Sequence, residues 1–135
     1  MKHIKINIIS ILFILYLTAL GLLCFLKGDN LPNITGTWFG FRADNVAHAL
    51  MFLPFIPLSF LSISIKKTNF FKDMALLIIL SIVGAVTAYA TEIIQGQLKY
   101  RTYELKDFMA DCVGLAAGFL FITVCLIIWH SIKRR

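Results

Sequence analysis

Four stretches of this chain are each about as long and as apolar as a membrane-crossing helix must be, and they leave little room for anything else. They run from Ile6 to Leu26, Val46 to Ile65, Met74 to Ile94, and Phe108 to Trp129. A helix needs about 20 mostly apolar residues to cross a hydrocarbon core about 30 Å thick. Together the four runs occupy most of the 135 residues, so no separate soluble domain fits beside them. Composition agrees: 59% of the residues are hydrophobic and 15% charged, against about 45–50% and about 25% in soluble domains. In water the excess apolar surface would drive aggregation. The expectation is an all-α integral membrane protein, residues 1–135 forming one domain, an antiparallel bundle of four transmembrane helices.

The first run follows Lys2 and Lys5, as a secretory signal would. Its apolar stretch exceeds the usual 7–15 residues of a signal core, and no small residue precedes Cys24 as lipidation requires, so it reads as a retained span. The net charge of +6 does not point to nucleic acid, because the basic residues sit in the tails and loops that flank the runs and set orientation. Eight Lys and Arg fall in the tails and the second loop, five in the first and third loops. That bias predicts both termini in the cytoplasm and the first and third loops outside. Cys24, Cys112 and Cys125 lie in apolar runs without metal-type spacing, which argues for small hydrophobic filler over disulfides or zinc.

An ionisable residue within a membrane segment is costly and marks a functional hypothesis. Asp44 and His48, four apart, share a helix face at the start of the second run. Glu92 and Gln95 share one at the end of the third run; Asp107 and Asp111 share one at the start of the fourth. Antiparallel connectivity brings these three ends to one side of the bilayer, the outer one on the charge count. Arg101, in the loop between the third and fourth runs, is a candidate counter-charge or phosphate clamp. Two stripes of small residues, Ser81–Ala85–Ala88–Glu92 and Asp107–Asp111–Gly114–Gly118, have matching offsets. Small residues let helices approach closely in lipid, so the third and fourth spans are expected to pack along these seams. Pro54 and Pro57 predict a kink in the second span.

Asp44-Asn45-Val46-Ala47-His48 resembles the Asp-Lys-x-x-His opening of the VanZ-like family. Glu92-Ile93-Ile94-Gln95 resembles its Glu-x-x-Gln. Arg101, Asp107-Phe108-Met109-Ala110-Asp111 and Gly114 resemble its Arg…Asp-x-x-Ala-Asn…Gly block. Asn45 stands where the family has Lys, and Asp111 where it has Asn, so neither a cation nor an amide role carries over to those positions. The resemblance implies a multi-pass protein of the bacterial cytoplasmic membrane. The family's namesake is associated with low-level resistance to the glycopeptide teicoplanin, and most members have no known activity.

On the residues themselves, His48 is a structural helix-start residue or, oriented by Asp44, a general base or metal ligand. Glu92 is the strongest candidate for chemistry, set against a structural pair with Arg101 or His48. Gln95 reads as an orienting hydrogen-bond partner. Asp107 is a helix cap, a first-turn charge, or one of a pair with Asp111 that shares a proton or holds a divalent cation. Trp38, Tyr100, Tyr103 and Trp129 read as interfacial belt residues. No phosphate loop, nucleophile elbow or zinc-protease helix is present in the sequence. Three functions remain. One is an envelope protein binding a membrane lipid, lipid-linked precursor or glycopeptide through Asp44, Gln95, Arg101, Asp107 and Asp111. The second is an enzyme on a phospholipid or polyprenyl-linked substrate with His48 or Glu92 as base. The third is a partner in a larger membrane complex.

Overall fold

A computed structural model describes residues 8–26, 36–63, 69–99 and 103–133. The elements are α1 (Ile8–Phe25), a hairpin of β1 (Thr37–Trp38) and β2 (Phe41–Arg42), α2 (Ala43–Phe52), α3 (Phe55–Ile63), α4 (Phe70–Gln97) and α5 (Leu105–Lys133). Helix accounts for 86% of the described residues, so the all-α expectation holds apart from the two-residue strands. Four helices are long and apolar enough to cross a membrane: α1, the α2–α3 pair, α4 and α5. At about 1.5 Å per residue, the 28 residues of α4 and 29 of α5 exceed an apolar core of about 30 Å by more than a turn at each end. Both helices therefore run past the apolar runs, α4 from before Lys72 and Asp73 to Gln97 and α5 from before Lys106 and Asp107 to Lys133. Asn69 caps α4 by accepting a 2.9 Å hydrogen bond from the backbone N–H of Lys72.

The core is built where α3 meets its neighbours. Phe52, Ile56 and Leu77 are fully buried. The Phe55 ring stands edge-on to Phe13 of α1, with centroids 6.0 Å apart. Outside that centre the helices turn apolar side chains outward: only 11% of the α1 window is buried within the chain. That surface suits lipid and would be costly in water.

The second span breaks where the prolines predict. Leu53 and Pro54 interrupt it between α2 and α3. Pro54 has no N–H to offer the Leu50 carbonyl, and Pro57 has none for that of Leu53. Neighbouring helices close on the gap. Tyr16 of α1 donates a 2.7 Å hydrogen bond to the Met51 carbonyl. Gly118 of α5 lies so near that an ideal Cβ there would stand 2.7 Å from the Leu53 oxygen.

Gly114 makes the closest approach among the described glycines, since a Cβ on it would overlap the Ala49 carbonyl oxygen. The glycine stripe of α5 therefore serves α2 and α3, and the expected seam with α4 is corrected. Helix periodicity fixes which residues share a face, not which neighbour that face meets. On the α4 side, Ser81 and Ala85 look across an open groove of ≈ 460 Å³ at Cys112, Ala116 and Phe119. Gly84 there abuts the side chains of Leu115 and Phe55.

The hairpin before α2 pairs Thr37 with Arg42 and Trp38 with Phe41. Its two central residues, Phe39 at φ 53° and Gly40 at φ 82°, are both left-handed, as the tightest hairpin turn requires. Phe39 is strained there, because a Cβ crowds the backbone in that region, yet its ring is 95% exposed. Trp38 and Phe41 are exposed beside it. The three rings present an aromatic face of the kind that sits at a membrane–water boundary, which suits Trp38 to its expected belt role.

Candidate functional site

The break in the second span leaves α2 as a short helix whose first turns lie along the start of α5. His48 projects into that contact and is 4% exposed. Its Nδ1 is 3.0 Å from Asp111 Oδ1 and 4.0 Å from Glu92 Oε1; its Nε2 is 3.7 Å from Asp107 Oδ2. Glu92 comes from the last turns of α4, about 13 Å from that helix's middle at about 1.5 Å per residue. The three helix ends thus meet as the connectivity predicts, with the imidazole at the centre and a carboxylate from α4 and two from α5 around it.

One role differs from expectation, and two are narrowed. The partner that orients His48 is Asp111, at 3.0 Å, and not Asp44 on its own helix. Asp44 is half-exposed and stands 3.8 Å from Arg42. Gln95 is a hydrogen-bond partner, and its partner is backbone: its Nε2 donates a 2.8 Å bond to the Cys24 carbonyl and ties α4 to the last turn of α1. Of the alternatives for Asp107, the first-turn charge is the one found: α5 begins two residues before it, and it is 7% exposed. A carboxylate in that position is favoured by the helix dipole. Asp107 and Asp111 fall in different groups around the ring. They approach different nitrogens of the ring, Asp107 with Asp44 and His48 in one group and Asp111 with Glu92 and His48 in another. Arg101 and Tyr100 lie outside the described residues, as do Lys2, Lys5, Lys66, Lys67, Arg134 and Arg135 of the charge count.

Among the described residues the electrostatics are one-sided. No side chain there hydrogen-bonds either oxygen of Glu92, Asp111 Oδ2 or Asp107 Oδ1, although the Glu104 backbone approaches Glu92. Among the described residues, no Lys or Arg pairs with Glu92, Asp107 or Asp111. Burying unpaired carboxylate oxygens costs several kcal/mol each unless a positive charge or proton answers them. Such an arrangement is suited to holding a cation or handling protons. It is ill suited to gripping an anion directly.

Sequence reasoning passed over three residues at the rim. Arg42, counted only as a loop charge, donates a 2.9 Å hydrogen bond to Glu104; that carboxylate raises the guanidinium above its usual value. The pair links the hairpin to the turn before α5, and the signal was Glu104 standing three residues before Asp107. Lys106 lines an open, mainly apolar groove of ≈ 500 Å³ between α2 and α5, together with Asn45, Val46, Leu50 and Met109. At the far end of α4 and α5, Asp73 meets His130 across 3.3 Å. This second histidine–carboxylate contact shows no spacing signal in the sequence.

The fold and the buried centre together define a multi-pass membrane protein with an ionisable cluster near one end of its helices. No family model, curated protein or solved structure matches the chain.

Proposed function

We propose that this chain is a VanZ-like protein of the bacterial cytoplasmic membrane that binds a membrane lipid or lipid-linked cell-wall precursor at its outer face. In this reading the four spans form an antiparallel bundle with both termini in the cytoplasm. The buried centre then faces the extracytoplasmic side, and the protein serves the cell envelope, including low-level tolerance of glycopeptides such as teicoplanin.

One observation carries the reading. The groove between α2 and α5 joins apolar walls to Lys106 and Asn45, and these two helices also supply His48 and Asp111. An acyl or prenyl chain fits the walls, and Lys106 offers a positive charge to a phosphate at the head. The anionic centre behind the groove makes Lys106 the natural phosphate contact, because the buried carboxylates would repel that group. The test is native mass spectrometry of the full chain purified in mild detergent, comparing parent, Lys106→Ala and Asn45→Leu. Co-purified phospholipid or polyprenyl phosphate on the parent, reduced in both variants, supports the reading. Equal lipid occupancy in all three would refute it.

A second reading has its own support. The 3.0 Å contact of His48 with Asp111 is the geometry of an oriented imidazole base. The chain would then be an enzyme on the same class of substrate, with Glu92 as the second proton-transfer group. Glu92→Gln separates this from a structural role: a folded, thermally stable variant that has lost the teicoplanin phenotype supports chemistry at Glu92. An unfolded variant supports a structural pair with His48.

A further inference from the structure

We infer that His48, Glu92 and Asp111 form a binding site for a single divalent transition-metal ion, zinc or manganese, buried between α2, α4 and α5. The inference stands whether or not the groove takes a lipid. The three donor atoms lie within 4.8 Å of one another, and Glu92 and Asp111 are both 0% exposed. Three carboxylate oxygens in the group accept no side-chain hydrogen bond from the described residues: both of Glu92 and Oδ2 of Asp111. A folded chain keeps such groups in its interior when something cationic answers them.

The distances fit an ion of that size. Donors each about 2.0–2.1 Å from a tetrahedral ion stand about 3.3–3.4 Å from one another. The Nδ1–Asp111 separation of 3.0 Å and the Nδ1–Glu92 separation of 4.0 Å bracket that value. A shift of the Glu92 carboxylate by less than about an ångström, within reach of its side-chain torsions, closes the difference. With Nδ1 given to the ion, the ring carries its proton on Nε2, which faces Asp107 Oδ2 at 3.7 Å. A carboxylate behind a ligating imidazole is the usual device that fixes its tautomer and orientation. Asp107 is therefore a positioning residue rather than a ligand.

The donor set selects the ion. One imidazole nitrogen with carboxylate oxygens suits zinc or manganese, whereas calcium and magnesium favour oxygen alone. Two carboxylates balance the charge of a dication, and a neutral assembly is the least costly to bury. The outer group of Asp44, His48 and Asp107 is the weaker alternative. Asp44 is 42% exposed and already faces Arg42, a fixed positive charge that repels a metal.

The test uses the full chain purified in detergent, loaded with zinc or manganese, dialysed free of excess ion and assayed by inductively coupled plasma mass spectrometry. The expected content is about one ion per chain, as for a closed site. Glu92→Gln and Asp111→Asn should lose it, while Glu104→Gln, at the rim, keeps it. Should either ligand variant fail to fold, the parent decides. Its melting temperature should rise with zinc or manganese, fall back with chelator, and stay unchanged with magnesium at the same concentration. A parent chain that takes up neither zinc nor manganese overturns the site and leaves the carboxylates balanced by protons alone. Equal metal content in the parent and both ligand variants overturns it as well.

Discussion

Replacing Gly114 with alanine probes the tightest glycine contact among the described residues. An added Cβ overlaps the Ala49 carbonyl oxygen and stands 3.0 Å from the Ala49 carbonyl carbon and 3.1 Å from the Leu53 nitrogen. All three are backbone atoms of the neighbouring span, so no side chain can rotate away. Relief requires α2 and α5 to part by about an ångström, which loosens packing along both helices. Overpacking of this kind costs about 1–3 kcal/mol, with the upper end expected where backbone must move. Three other glycines calibrate the effect. At Gly118 the added methyl meets the Leu53 oxygen at 2.7 Å, again backbone. At Gly84 it meets the tip of Leu115 at 2.7 Å and the Phe55 ring at 3.1 Å, side chains that can shift. At Gly21 nothing lies within 4 Å, so alanine there is neutral or stabilising by up to about 1 kcal/mol through helix propensity. The assay is the detergent melting temperature, read as the monodisperse fraction surviving heating. The expected order of loss is Gly114→Ala, then Gly118→Ala, then Gly84→Ala, with Gly21→Ala at or above the parent. A Gly114→Ala protein that melts with the parent would refute the reasoning.

Two further outcomes follow from single contacts. Gln95→Leu removes a buried hydrogen bond to the Cys24 carbonyl, at a cost of about 0.5–1.5 kcal/mol. Thermal melting should drop accordingly, and α1 should become the first segment cut by a protease. Phe39→Asn places a residue that tolerates left-handed backbone at φ 53°, so the hairpin should be retained or favoured in circular dichroism. Binding of the purified chain to lipid nanodiscs of anionic composition should show whether the lost ring had anchored the hairpin.

The spans and their polar ends were readable because hydropathy and connectivity depend on single segments. Asp44, His48, Glu92 and Asp111 were placed at one end correctly on that basis, and Pro54 announced its own kink. Partnership was harder to read. His48 stands four residues from Asp44, an ideal spacing along one helix, yet it bonds Asp111, 63 positions away. Helix spacing says two side chains can meet; it is silent on a better partner from another helix. Gly114 and Gly118 likewise announced close packing without naming α2. The helix starts at Phe70 and Leu105 were missed because Lys72-Asp73 and Lys106-Asp107 cut them off from the apolar runs. The hairpin was missed for a different reason. Its turn is Phe39-Gly40, and a bulky residue in a left-handed position argues against the turn that forms.

The account rests on the described ends of α2, α4 and α5 meeting on one side of a membrane. Single cysteines at Thr37, Lys72 and Lys99, each exposed, can report this in a chain whose Cys24, Cys112 and Cys125 are replaced by alanine. A membrane-impermeant maleimide applied to intact cells should label Thr37→Cys and Lys99→Cys. It should reach Lys72→Cys only after the cells are permeabilised. Labelling of Thr37→Cys and Lys99→Cys from opposite sides would contradict the arrangement and dissolve the centre built on His48.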